Sequence, residues 1–78
     1  MEARFRWFYE DLMTMVREGV PVAVIAQKIR RAVPEHEDRG LLLGHLRDSR
    51  DALEAEGRDG PAGTLGRVIE SLERGEGP

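Results

Sequence analysis

The chain has no cysteine, and that single absence excludes a disulfide framework, thiolate metal ligation and a cysteine nucleophile. Apolar runs are short as well. No stretch approaches the ~20 residues that a membrane-spanning helix needs, and no basic, apolar and small-residue series marks a signal peptide. With no thiol and no export signal, the expected location is the cytoplasm. Lysine is confined to Lys28, arginine supplying all other positive side chains. Aromatic residues are few and all fall in one window: Phe5, Trp7, Phe8 and Tyr9. Everything after Tyr9 must therefore build its core from aliphatics.

What is present suits a small folded domain. Charged residues make up 35% of the 78 positions and hydrophobic residues 40%, a globular balance with both signs interspersed. Domains of this size bury only roughly 60% of the surface of the unfolded chain. Small folds are accordingly stapled by disulfides, metal or association, and without cysteine what is left is helix packing and association. The charge is uneven: residues 1 to 33 carry net +2 and residues 34 to 78 net −5. An acidic C-terminal half disfavours nucleic acid there.

Helical periodicity organises the whole chain. Nothing breaks a helix from Ala3 to Glu18, and Gly19, Val20 and Pro21 supply stop and restart signals. Phe5, Phe8, Leu12, Met15 and Val16 share one stripe with Tyr9 on its flank, whereas Trp7 points roughly 130° away, near Asp11 and Arg4. Pro21 suits a first helical position, and a second helix is expected from there to about Val33. Val22, Ile25, Ala26, Ile29 and Val33 line its buried face, with Val24 opposite, beside Lys28 and Arg31.

Pro34 disfavours helical geometry at Val33. A third helix is expected from Pro34 to Glu56, its acidic start at Glu35, Glu37 and Asp38 suiting the positive end of the helix dipole. Its stripe would be Leu42, Leu46, Ser49 and Leu53, with Leu41 and Ala52 alongside. Gly40 and Gly44 each cost about 1 kcal/mol in a helix interior, so a start at Leu41 is the alternative. Gly57 to Gly63 reads as a loop, with three glycines and a proline in seven residues. Thr64 then caps a last helix whose Leu65, Val68, Ile69 and Leu72 form its buried face, ending near Arg74. Residues 75 to 78 read as a flexible tail or the start of a linker, leaving residues 1 to 74 as a single helical domain. The fold class is all-α, a small four-helix bundle or orthogonal helical array.

Constellations for chemistry are weak. The hydroxyls are Ser49, Ser71, Thr14, Thr64 and Tyr9, and the candidate bases are His36 and His45. Ser49 follows His45 by one turn, but on the apolar stripe it is expected to bond back to its own helix carbonyl rather than act as a nucleophile. His36 and His45 stand roughly 180° apart on a continuous helix and cannot close on one ion, and Asp48 at the third position after His45 adds only a surface pair. Gly57, Gly60 and Gly63 lack the lysine and preceding strand of a phosphate loop. The expectation is a non-enzyme with no cofactor, no metal, no small-molecule substrate and no membrane partner.

Association is the leading functional expectation. Trp7 and Met13 lie off the core stripe of the first helix, and the run Leu41, Leu42 and Leu43 spans roughly 200° of the third, more than one contact surface buries. Trp7, Met13, Leu41 and Leu43 are thus candidate contacts of a protein-interaction module that forms a homodimer or docks onto a larger protein. Gly40 and Gly44, one turn apart, would admit a close second helix. A second reading starts from Val22 to Arg31, VAVIAQKIRR, which resembles the first helix of helix-turn-helix units over ten residues. That resemblance implies a small DNA-binding regulator, with Lys28, Arg30 and Arg31, joined by Arg4 and Arg6, on the phosphates. Opposing it, Glu35, Glu37 and Asp38 would stand where a recognition helix begins, and phosphates repel them. A third reading is an inhibitor or antitoxin-type protein that sets its acidic C-terminal half against a basic partner.

Overall fold

The computed structural model describes residues 3 to 75, with side chains from residue 5 to residue 74. Four helices follow one another: α1 (Ala3–Glu18), α2 (Val22–Ala32), α3 (His36–Ala55) and α4 (Asp59–Gly75). Among the described residues there is no strand, and no helix is long and apolar enough to cross a membrane.

Two of the three connections begin with the same device. Gly19 and Gly57 both adopt φ +76°, a left-handed conformation that glycine enters without a Cβ penalty. After α1, Gly19 N–H donates to the Val16 carbonyl at 3.4 Å and Val20 N–H to that of Met15 at 3.1 Å. After α3, Gly57 donates to Glu54 at 3.0 Å and Arg58 to Leu53 at 2.9 Å. Each pair of bonds satisfies carbonyls that a helix end would otherwise leave open. The remaining break is made by proline: α2 stops before Val33, whose φ of −130° and ψ of 76° are not helical, because Pro34 crowds the helical conformation of the residue before it.

The helix boundaries correct three expectations. Pro21 is the N-cap of α2 rather than its first helical residue, with φ −55° and ψ 139°. α3 begins at His36, two residues after Pro34 and well before Leu41, so Gly40 and Gly44 lie inside a continuous helix. The segment expected as a loop from Gly57 to Gly63 is mostly the start of α4, which begins at Asp59. Pro61 is the third residue of that helix, where an N–H has no intrahelical acceptor in any case. The first helical bond there runs from Ala62 N–H to the Arg58 carbonyl at 3.1 Å. Thr64 is consequently no cap; its hydroxyl donates back to the Gly60 carbonyl at 3.2 Å. α4 extends to Gly75, and the rest of the expected tail, residues 76 to 78, lies outside the described residues.

α4 packs against all three other helices and is the element on which the bundle closes. Its Leu65, Val68, Ile69 and Leu72 join Phe5, Phe8, Leu12 and Val16 of α1, Ile25, Ala26 and Ile29 of α2, and Leu42, Leu43 and Leu46 of α3 in one buried cluster. Among the described residues the core contains no buried polar or charged residue. Full burial of each large aliphatic or aromatic side chain contributes about 1.5 to 3 kcal/mol of transfer free energy, which is how a chain without staples holds together. Polar ties sit at the margin. Arg30 of α2 donates to the Ser71 carbonyl of α4 at 2.9 Å, and Arg47 of α3 meets Glu73 of α4 at 2.9 Å on the surface.

Candidate functional site

The off-stripe position of Trp7 has a physical outcome. Its side chain is 65% exposed, the most exposed large apolar group of the described residues, ahead of Leu41 at 46% and Val24 at 41%. The indole does not hang free in solvent: it stands edge-to-face on the ring of Phe8, centroid to centroid 5.7 Å and 63° between planes. Phe8 is itself buried in the core. The edge-to-face contact gives one flank of the indole a partner in the core, while most of the ring stays open to solvent.

Beside Trp7 runs a groove of about 650 Å³, open to solvent, between α1 and α2. Trp7, Phe8, Asp11, Thr14 and Met15 form the α1 wall, and Lys28, Arg31 and Ala32 the α2 wall. The spacing explains the walls. Trp7, Asp11 and Thr14 are separated by four and three residues, as are Lys28 and Arg31 by three, so each set follows one helical face. A smaller depression of about 210 Å³ continues past Trp7 toward Pro34 and Asp38, so the indole is a ridge between two concavities. Acid stands on one wall and two cations on the other. Among the described residues, the side chains of Asp11, Lys28 and Arg31 take part in no ion pair or hydrogen bond.

The other candidate contacts are dispersed. Met13 is half-buried and lines a separate concavity of about 510 Å³ with Tyr9, Glu10, Thr14 and Arg17. Leu41 projects from α3. Leu43 is no surface contact: at 8% exposure it belongs to the core, together with Leu42 and Leu46. Ala52, expected beside the apolar stripe of α3, is exposed instead. Nothing lies within 4 Å of where a Cβ would stand on Gly40 or Gly44, so this pair admits no neighbouring helix within the chain.

The basic series of α2 is divided in the same way. Lys28 and Arg31 face the groove, whereas Arg30 turns toward α4 and holds the Ser71 carbonyl. Ser49 also departs from expectation. Instead of bonding back within α3, its hydroxyl shares a hydrogen bond with the phenol of Tyr9, tying α1 to α3. Burial of that phenol raises the Tyr9 pKa above its ordinary 10.0. His45 packs edge-on against Phe5, centroids 6.4 Å apart, and is not bonded to Ser49. Among the described residues, no group of three or more histidine or carboxylate side chains is placed to hold a metal ion.

Periodicity alone singles out Trp7; it gives Thr14 and Ala32 no role, leaves Asp11 only as a neighbour of Trp7, and puts Met15 on the core stripe, whereas Met15 is only partly buried and lines the groove. Their role depends on which flank of α1 faces which flank of α2, a fact of packing rather than of either helix. The usable signal is that both off-core faces, Trp7 with Asp11 and Lys28 with Arg31, lie on adjacent helices joined by a short turn. No family model, curated protein or solved structure matches the chain.

Proposed function

We propose that this chain is a small helical protein-interaction module that docks another protein molecule through the α1/α2 groove centred on Trp7. The observation that supports the reading is the exposed indole, in edge contact with Phe8, at the rim of an open groove. Tryptophan is among the residue types most enriched where binding energy is carried at interfaces, and a large rigid ring offers much contact area for little lost freedom. The openness of the groove favours a macromolecular face over a small molecule, which is usually taken into an enclosing cavity.

Two features weigh against a DNA-binding role. Arg30 is engaged within the fold, and the first turn of α3, where a helix following α2 would meet bases, carries Glu37 and Asp38. The test of docking is site-specific photo-crosslinking in cells that produce the chain, with a photoreactive phenylalanine analogue replacing Trp7 and, as a control, Glu70. Protein adducts from position 7 and none from position 70 are expected. Equal yields at the two positions, or none at either, would overturn the proposal.

A further inference from the structure

Resting on the docking reading above, we infer that the occupant of the groove is the same groove of a second copy, the two related by a two-fold axis. An isologous interface must be complementary to itself, and a groove of one charge sign repels its own image. This groove is divided by sign from wall to wall. Asp11 stands on the α1 wall and Lys28 and Arg31 on the α2 wall, and none of the three is neutralised by a neighbour among the described residues. A two-fold axis along the groove lays α1 of one copy against α2 of the other. Each Asp11 then meets the Lys28 and Arg31 of its mate, and the pairing occurs twice. The two Trp7 indoles, already seated on Phe8, enter the apolar strip between those charges and cover the Met15 side chains.

A polyanion would find Asp11 in its way. An unrelated protein would have to present a matching alternation of its own. A second copy carries it of necessity. Dimerisation also supplies the association that a cysteine-free chain of 78 residues otherwise lacks.

The experiment uses two charge-reversed chains, Asp11→Arg and the double variant Lys28→Glu with Arg31→Glu, each checked for unchanged helical circular dichroism. All three positions are exposed, so both chains should fold. Sedimentation velocity and native mass spectrometry should show the wild-type chain above its 8.8 kDa monomer mass, with association increasing with concentration. Each reversed chain alone places like charges together twice and should dimerise at least roughly tenfold more weakly. Their equimolar mixture should recover dimer, specifically the heterodimer. On one side the arginine introduced at position 11 of one chain meets the glutamates introduced at positions 28 and 31 of the other, and on the other side the native pairing is kept.

A wild-type chain that stays at 8.8 kDa across the concentration range overturns the inference. So does a reversed chain that dimerises as well as wild type, or a mixture that recovers nothing. If the wild type is monomeric while position 7 crosslinks to a different protein, docking stands and the second copy falls. Oligonucleotide binding that is lost in the double variant but kept in Asp11→Arg would also overturn it, in favour of a nucleic-acid occupant.

Discussion

Leu41, Leu42 and Leu43 are consecutive and chemically identical, yet a helix turns each by ~100° from the last. Leu42 is sealed in the core, Leu43 nearly so, and Leu41 faces solvent. Leu42→Ala should therefore cost roughly 2 to 5 kcal/mol through lost burial and the cavity left behind, while Leu41→Ala should stay within about 0.5 kcal/mol; urea unfolding monitored by circular dichroism measures both. From the sequence Leu42 is expected on the core stripe and both Leu41 and Leu43 as outside contacts, yet Leu43 is drawn in and Leu41 alone stays out. Which one stays out is decided by where α4 comes to rest. Tyr9 gives a second residue-scale outcome. Its phenol is held neutral by burial, so its folded pKa lies above 10.0. The associated stability is complete below pH 10.0 and is lost as pH rises through the folded value, because the unfolded chain ionises first. Tyr9→Phe should flatten the loss of stability between neutral and strongly alkaline pH, even if the broken link to Ser49 lowers the neutral value. Unfolding curves at successive pH values test this.

At the level of elements, glycine has opposite meanings at different places. Gly57 sits at φ +76°, so Gly57→Ala should cost roughly 1 to 2 kcal/mol, the penalty of a left-handed backbone for a residue with a Cβ. Gly44 is inside α3 with open space around it, and Gly44→Ala should stabilise by about 1 kcal/mol through helix propensity. Thermal melts of the two variants should move in opposite directions. This contrast explains how much of the secondary structure the sequence revealed. α1 could be read to the residue, since its apolar stripe and its glycine stop agree. The junction between α3 and α4 could not, because Gly57, Gly60 and Gly63 look alike in sequence. Only the first is a stop; the second and third lie on either side of Pro61 in the opening turns of α4, where proline is tolerated.

Across the whole molecule, the four-helix class followed from the spacing of aliphatic residues, but the pairing of helices did not. Trp7 could be picked out because it alone among the aromatics leaves the stripe of α1. The groove beside it could not, since no pattern within α1 or α2 states that their polar flanks converge. If Trp7 lies between copies, the melting temperature of the wild-type chain should rise with protein concentration, and Trp7→Ala should remove that dependence while leaving the dilute-limit melting temperature nearly unchanged. Differential scanning fluorimetry with an external dye, over a broad concentration series, separates the two effects.

The central place of α4 has a consequence for synthesis. Residues 59 to 75 are translated after every helix they organise, and α1, α2 and α3 each rest on them. A ribosome extruding this chain displays three amphipathic segments before the helix that all three rest on has emerged. Cooperative folding therefore waits for the last helix to emerge, and during that interval nascent-chain chaperones have their opportunity to bind.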